Sequence, residues 1–310
     1  MGKIFKNIFL FILLLGVFYF GGMYLLSKVN YKGKPAVYIT NDYYVWKGGG
    51  TYKKFKSKDS LSNRDVIIVG SSRAYRSYNP LLFAKMGVSA WNLGSSAQSI
   101  ENSYRVIEEV IIPAKPKVIL LDLARLGFEQ ESIESSIDLI TNTSSAGLKK
   151  RLILEMPDIR LYNTAFTSII NEDLPSLYKD EEYKNAGFST KKDSLNLEWI
   201  GRLKLLREGS KNNKMISDFK VLIDIMELCL KSNQKIILVH SPVSQFYSLI
   251  AQENFVMKVD SISQKYKVPF YDFQNMEGIN TKNHFYDDSH LNTAGVNVFN
   301  EQLLKEVKFP

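Results

Sequence analysis

The sequence predicts an α/β fold in which a parallel sheet carries helices on both faces. Short runs of β-branched and other apolar residues alternate along the chain with longer segments of helical periodicity. The run Val66–Val69 consists of four such residues and is typical of a strand buried on both faces. Strands that alternate with helices are joined by crossovers, and crossovers cover both faces of a parallel sheet with helices.

The alternation begins at residue 65 and continues to the end of the chain. The predicted strands are residues 66–69, 88–93, 117–123, 235–240 and 268–273. The predicted helices are residues 100–112, which Pro113 and Pro116 end, then 218–230, 247–266, and a last one from Asn292 or Thr293 to Lys305. Residues 129–213 have a mostly helical pattern and no comparable strand, so we expect them to form an insertion.

The start of the chain is predicted to anchor the protein in a membrane. Residues 8–26 carry no charge, and at helical rise they span about 28 Å, close to the roughly 30 Å of a bilayer core. Lys3 and Lys6 precede this run and favour a cytoplasmic N-terminus, which places the rest of the chain outside the cytoplasm. A cleaved signal peptide is the alternative, but no small-x-small cleavage site follows the run.

Four segments result from this division. They are a cytoplasmic tail (1–7), the anchor (8–26), a basic and aromatic linker (27–64), and one domain (65–310) with its insertion at about 129–213. The linker is expected to be a spacer whose aromatics dock on the domain; contact with lipid or polysaccharide is the alternative. The formal charge of +8 suits an anionic lipid surface. An extracytoplasmic domain is not expected to bind nucleic acid.

Cofactor and metal sites find little support in the sequence. The single cysteine, Cys229, excludes an intrachain disulfide and a multi-cysteine metal site, and we expect it in the core. The 3 histidines, His240, His284 and His290, are scattered and form no convincing ligand set. The Gly-x-Gly-x-x-Gly fingerprint of dinucleotide folds is absent. We therefore expect no cofactor and no metal.

Ser72 is the first candidate catalytic residue. It follows Gly70 and Ser71 at the carboxyl end of the first strand, where ligands and chemistry collect in open α/β sheets. A serine on such a turn has an exposed hydroxyl and the first amides of the next helix beside it. The alternative is that these residues form only a turn and a helix cap.

His290 and Asp287 are the candidates to activate that serine. A hydroxyl nucleophile needs a base, and histidine titrates in the required range. The base in turn needs a carboxylate on its other nitrogen. Asp287 lies three residues before His290 on one predicted loop, and Asp288 is the second choice. Taken alone, the motif also fits a solvated loop ahead of a helix cap.

The order of these motifs resembles that of the SGNH (GDSL-type) hydrolase superfamily. A serine ends the first strand, a glycine ends the second, and Asp-x-x-His precedes the last helix. Within the superfamily the chain looks most like the membrane-anchored bacterial branch with a Gly-Ser-Ser turn, to which the D-alanyl-lipoteichoic acid transfer protein and the alginate O-acetylation proteins are related. The resemblance covers residues 65–310 except the middle section. Its motifs are Gly70-Ser71-Ser72-Arg73 with Pro80, Asn92-Leu93-Gly94 and Asp287-Asp288-Ser289-His290-Leu291-Asn292.

The resemblance implies a flavodoxin-like three-layer α/β/α sandwich and acyl transfer through a serine ester. It implies Ser72 as nucleophile, His290 and Asp287 as its partners, and the amides of Ser72 and Gly94 as the oxyanion hole. The family's third motif ends its strand in Gly-x-Asn-Asp, whose asparagine donates to the oxyanion. This chain has no asparagine there, and a replacement donor or substrate contact is sought among Arg73, Asn92 and Arg125.

The sequence thus predicts an extracytoplasmic serine acyl-esterase or O-acyltransferase that acts on a cell-envelope glycan or a similar ester. The missing asparagine favours an alternative, a membrane-tethered protein of weak or no activity that binds or scaffolds a polysaccharide-modification complex. Expected partners are the ester substrate, membrane lipid along residues 8–26 and, by family analogy, a membrane protein that delivers acyl groups.

Overall fold

A five-stranded parallel sheet forms the centre of the protein. The computed structural model describes residues 2–31, 34–37, 49–56, 61–124, 132–170, 187–193, 213–245 and 249–310. After a short antiparallel pair, β1 (Asn30–Tyr31) and β2 (Lys34–Pro35), the central strands are β3 (Val66–Val69), β4 (Ala90–Asn92), β5 (Val118–Asp122), β6 (Lys235–His240) and β7 (Phe270–Asp272). Their spatial order is β4-β3-β5-β6-β7. This confirms the predicted α/β fold and its flavodoxin-like strand order.

The helices alternate with the strands and also form the start of the chain and the insertion. In chain order they are α1 (Gly2–Lys28), α2 (Gly49–Lys56), α3 (Ser72–Ser77), α4 (Pro80–Lys85), α5 (Ile100–Val106), α6 (Ile112–Ala114), α7 (Ile133–Asn142), α8 (Ala146–Glu155), α9 (Ile159–Ile170), α10 (Asn213–Lys231), α11 (Leu249–Tyr266), α12 (Thr281–His284) and α13 (Thr293–Glu306).

The side chains of β3 point alternately into two cores, one on each face of the sheet. Ile67 and Val69 belong to the core that contains residues of α5, α10 and α11. Val66 and Ile68 belong to the core that contains residues of α3, α4 and α13. Because β3 lies between β4 and β5, the chain changes direction across the sheet at this strand. Ligands of open α/β sheets bind at such a switch point, at the carboxyl ends of the strands.

Two helical segments extend beyond their predicted bounds by two residues or more. Helical structure does not end before Pro113 but continues through a π-helical segment, Ile107–Ile111, into α6. Pro113 is tolerated because it lies in the first turn of α6, where a missing amide costs little. The chain then leaves the helix at Lys115 in the left-handed conformation. Helix α10 begins at Asn213, five residues before the predicted start.

The segment assigned to the linker contributes to the main core. In α2 and just after it, Phe55 and Leu61 are buried in the core on the α5 face. Thr51 donates a 2.8 Å hydrogen bond to Asp138 in α7, and Trp91 donates one of 3.3 Å to the carbonyl of Lys54. The tyrosines and the tryptophan at 38–46 lie outside the described residues. Within residues 49–56 and 61–64 the linker is therefore docked on the domain.

Helix α1 is long and apolar enough to cross a membrane. A signal sequence near an N-terminus satisfies the same criterion. The described residues of the predicted insertion are 132–170, which form α7, α8 and α9, and 187–193. Helix α9 packs against both α7 and α1.

Candidate active site

The turn after β3 places Ser72 at the start of α3. Gly70 has φ +150, and a Cβ there would lie 2.9 Å from the carbonyl oxygen of Asp122, so the position requires glycine. Ser71 caps α3 by accepting a 3.3 Å hydrogen bond from the Arg73 amide. The capping function therefore belongs to Ser71, and the next residue, Ser72, is left with its hydroxyl directed toward the C-terminal loop.

A short loop before α13 holds the histidine. Phe285 and Leu291 pair as an antiparallel bridge, and both are fully buried. The Tyr286 amide donates 3.1 Å to the His290 carbonyl, which closes the loop. Asn292 caps α13 by accepting from the Gly295 amide at 3.0 Å, as the sequence predicted. The loop is thus fixed at both ends, so the side chains of residues 287–290 are held in place.

The two segments meet at hydrogen-bond distance although 218 residues separate them. Ser72 Oγ lies 2.8 Å from His290 Nε2, and His290 Nδ1 lies 2.7 Å from Asp287 Oδ2. The other oxygen, Asp287 Oδ1, accepts from the amides of Ser289 at 2.8 Å and His290 at 2.7 Å. This is the geometry of a nucleophile, a base and a group that orients the base.

The Asp287 carboxylate is stabilised in its charged form. Burial raises the pKa of Asp287, but the hydrogen bond and charge of His290 and the two loop amides outweigh burial, so the pKa lies below the usual carboxyl value. The carboxylate therefore faces His290 as an anion at neutral pH. Asp288, the second choice in the sequence, is not the residue bonded to His290 Nδ1.

Tyr286 covers one face of the histidine ring and was not singled out in the sequence. Its ring is stacked on His290 with a centroid distance of 5.6 Å and an interplanar angle of 10°. The Arg76 guanidinium lies 5.5 Å and the Lys191 ammonium 5.4 Å from the Tyr286 ring centroid. The one indication of a contact between Tyr286 and His290 in the sequence was that they lie four residues apart. Stacking restricts rotation of the imidazole, and Arg76 and Lys191 place two positive charges at the Tyr286 ring.

Gly94 lies against the turn that carries Ser72, but its backbone N–H already has a hydrogen-bond acceptor. A Cβ at Gly94 would be 2.8 Å from both Ala74 Cβ and the Tyr75 nitrogen. The two turns can therefore touch only because residue 94 has no side chain. The Gly94 amide donates to Asn92 Oδ1 at 3.0 Å. This differs from the predicted role of that amide as an oxyanion donor, because the N–H group is satisfied within its own turn.

Arg73 and Asn92 hold the fold rather than face a substrate, which corrects the sequence-based prediction. Arg73 is 3% exposed and donates through Nη2 to both oxygens of Ser241 and, at 3.2 Å, to the Pro242 carbonyl. Asn92 is fully buried and donates to the carbonyls of Ala74 at 2.9 Å and Tyr78 at 3.1 Å. The third candidate, Arg125, lies outside the described residues.

The remaining histidines have structural partners. His240 is buried at the end of β6, and its Nδ1 lies 3.0 Å from Asp272 Oδ1 at the end of β7. Burial lowers the pKa of His240, although the Asp272 hydrogen bond opposes that shift. His284 Nδ1 accepts from the Asn280 amide at 3.0 Å. Among the residues that the structure describes, no cluster of three or more potential ligands could hold a metal ion.

Asp122, at the end of β5, accepts a 2.7 Å hydrogen bond from the Tyr78 hydroxyl. This contact links β5 to the end of α3.

Lys54 reaches the site from the linker, and the sequence did not reveal it. Its side chain is 1% exposed, its Nζ donates 2.6 Å to the Gly94 carbonyl, and it lies 4.1 Å from the Tyr75 ring centroid. Burial lowers the pKa of Lys54 to about 7. The linker therefore supplies a buried amine that holds the Gly94 turn.

Replacing Lys54 by methionine is expected to remove a pH dependence of stability. Between pH 7 and 10.5 the unfolded chain keeps a proton that folded Lys54 has released, so wild-type stability rises with pH. Relative to the variant, the wild type should gain up to about 1.4 kcal/mol per pH unit in this range. Unfolding of the full chain in detergent at pH 7, 8 and 9 measures it, with the exposed Lys85→Met as control. Parallel pH profiles of wild type and Lys54→Met would contradict this role.

The comparisons with known proteins concern the fold. No family model matches the chain, and no curated protein matches it. Similar solved structures include a Bacteroides fragilis protein described as an acylhydrolase, with 13% identity over 81% of this chain and 93% of that chain and a TM-score of 0.43. A GDSL-like lipase from Bacteroides thetaiotaomicron has 11% identity over 83% of this chain and 96% of that chain, with a TM-score of 0.41. Because the sequence identities are this low, the roles of the residues in this site are inferred from the geometry of the site itself.

Proposed function

We propose that the protein is a serine acyl-esterase or O-acyltransferase. The observation that supports this most directly is the chain of contacts from Ser72 Oγ to His290 Nε2 and from His290 Nδ1 to Asp287, at 2.8 and 2.7 Å. Base and nucleophile are within proton-transfer distance, and the base is held by an ionised carboxylate.

The reaction follows from this arrangement. His290 takes the Ser72 proton as Ser72 Oγ attacks the ester carbonyl, and Asp287 stabilises the imidazolium that forms. The imidazolium returns the proton to the departing alcohol, which leaves an acyl-serine. Water or a sugar hydroxyl then attacks with His290 again as base, and the acid or the new ester is released. Ser72 is the first residue of α3, so its amide has no intrahelical acceptor and can donate to the oxyanion.

The substrate and location are part of the proposal. With α1 in the membrane and Lys3 and Lys6 on the cytoplasmic side, the catalytic domain lies outside the cytoplasm, against the cell envelope. We propose an acylated envelope glycan as the ester on which the domain acts. This placement, together with the Gly-Ser-Ser turn, supports the membrane-anchored bacterial branch of the SGNH hydrolases as the family.

A second candidate function is a scaffold of weak or no activity. The paired amide of Gly94 favours it, because a missing oxyanion donor typically lowers the rate by about 10²–10³. In that case the domain would bind its glycan or a partner in a modification complex without turnover.

Labelling with a fluorophosphonate probe distinguishes the two functions. The probe forms a covalent bond only with an activated serine, so wild-type full-length protein in detergent is expected to label and Ser72→Ala is expected not to. Ser71→Gly is the matched control, since it changes the neighbouring hydroxyl at a helix cap where glycine costs only a few tenths of a kcal/mol. An unlabelled wild type, or equal labelling of Ser72→Ala, would favour the scaffold.

A further inference from the structure

Helix α9 exposes an apolar stripe. Ile159, Tyr162 and Ile169 are 58%, 42% and 72% exposed, and Phe166 is partly buried. The spacing of these four residues, three or four positions apart, places them on one face of the helix. Helix α8 adds Leu154, which is 67% exposed at its C-terminal end.

The opposite face of α9 is mainly polar and is the buried one. Asn163, Thr164 and Thr167 are each less than a tenth exposed, with Leu161 as the apolar exception. Thr164 satisfies its hydroxyl by donating 2.7 Å to the Arg160 carbonyl. In a water-facing helix the apolar face is the one buried against the protein. The inverse pattern in α9 indicates that its outer face meets an apolar surrounding.

The stripe is continuous with the membrane-spanning helix. The rings of Phe166 and Phe20 in α1 are 5.0 Å apart, and Phe166 also packs on the small core of Met23 and Val37. The Tyr19 hydroxyl is hydrogen-bonded to Asn163. These contacts seat α9 on the last third of α1.

The depth of this contact follows from helix geometry. Phe20 precedes Leu26, the last residue of the uncharged run, by six residues, which is about 9 Å along the axis of α1. A partner of Phe20 therefore lies below the outer end of the apolar run, within the layer where headgroups meet acyl chains.

We infer that α9 and the end of α8 lie in the outer interfacial layer of the bilayer, with the stripe of Ile159, Tyr162, Phe166 and Ile169 in contact with lipid. The inference rests on the proposed membrane position of α1. The insertion then holds the domain to the membrane at a second place besides the anchor. Tyr162 suits this layer, because tyrosine is enriched at the membrane interface.

Quenching by brominated lipid tests the contact. Full-length Ile169→Cys carrying a bimane label, reconstituted in phosphatidylcholine vesicles, is expected to be quenched several-fold more than Met257→Cys on α11, a matched site that is 61% exposed. Ile159→Cys gives a second position on the stripe. Leu14→Cys reports the anchor itself, and labelled wild type, whose single cysteine Cys229 is buried, gives the background.

The three positions distinguish a failure of the inference from a failure of the anchor on which it rests. Strong quenching at 159, 169 and 14, but not at 257, supports it. Quenching at 14 with none at 159 and 169 overturns it and leaves the anchor intact. No quenching at 14 removes the anchor and the inference together. If the bimane labels on the stripe are shielded from aqueous iodide but are not quenched by the brominated lipid, the stripe contacts a protein partner and the inference is wrong. The esterase proposal is tested independently by the labelling of Ser72.

Discussion

Replacing Asp287 by asparagine is expected to lower kcat/KM for a p-nitrophenyl ester by about 10⁴, the loss typical of this change in serine-histidine-aspartate sites. Asp287 accepts a 2.7 Å bond from His290 Nδ1, which leaves Nε2 free to accept the Ser72 proton. An asparagine amide can donate to Nδ1 instead, which favours the tautomer with its proton on Nε2, and a protonated Nε2 cannot act as the base. The asparagine oxygen can still accept from the Ser289 and His290 amides, so the loop is retained.

Asp288→Asn is the matched control, since it makes the same chemical change one residue along the same loop. Its activity is expected to stay within a factor of about ten, because the structure bonds His290 Nδ1 to Asp287. Thermal unfolding of both variants in detergent checks that they remain folded. Equal losses in the two variants, or a larger loss in Asp288→Asn, would show that the carboxylate has been assigned to the wrong residue.

Replacing Gly94 by alanine is expected to destabilise the domain and to impair the site in one step. The new Cβ would lie 2.8 Å from Ala74 Cβ and from the Tyr75 nitrogen, and 3.0 Å from the Ser71 carbonyl oxygen. Two of these atoms belong to backbone, which cannot rotate aside as a flexible side chain can. Overpacking of this kind costs about 1–3 kcal/mol, which lowers the unfolding midpoint of a domain of this size by several degrees.

The same substitution tests whether the Gly94 turn supports Ser72. Ser71 and Tyr75 lie on either side of Ser72 in the chain, so a displaced turn should reduce fluorophosphonate labelling at temperatures where the variant is still folded. Gly147→Ala in α8 is the control, because its Cβ meets only the carboxylate end of Glu109, which can rotate away. A Gly94→Ala protein with wild-type stability and labelling would contradict the close contact between the two turns.

The α/β fold could be predicted because its signals are local, and the candidates Ser72, Asp287 and His290 could be named from the order of their motifs along the chain. Strand β6 was predicted with its observed bounds, since a run of apolar residues buried on both faces needs no partner to be recognised. Ser72 and His290 follow local turn chemistry at the end of a strand and before a capped helix. The parallel sheet then brings them together, because the carboxyl ends of its strands lie on one edge.

What the tertiary structure decided concerns pairings between distant segments. A donor such as Arg73 can face a substrate or can form its hydrogen bonds inside the fold. The outcome depends on which carbonyls pack around it, and here these are the carbonyls of Ser241 and Pro242. The carbonyl of Gly94 is paired with Lys54, 40 residues away in the chain, for the same reason. Hydrogen bonds of this kind have no periodicity in sequence.

Helix α9 is the clearest example of the difference between what the sequence predicts and what tertiary packing decides. Its sequence is amphipathic, but periodicity only separates two faces and does not say which one is buried. The packing of α9 on α7 and α1 turned its polar face inward and left Ile159 and Ile169 outside. By itself the sequence predicted the α/β fold and the apolar N-terminal helix, and it named Ser72, Asp287 and His290, which the structure places in a chain of hydrogen-bond contacts and whose catalytic roles stay a prediction. The tertiary structure decided which polar groups are already paired and which apolar ones face outward, because both depend on neighbours that are remote in the chain.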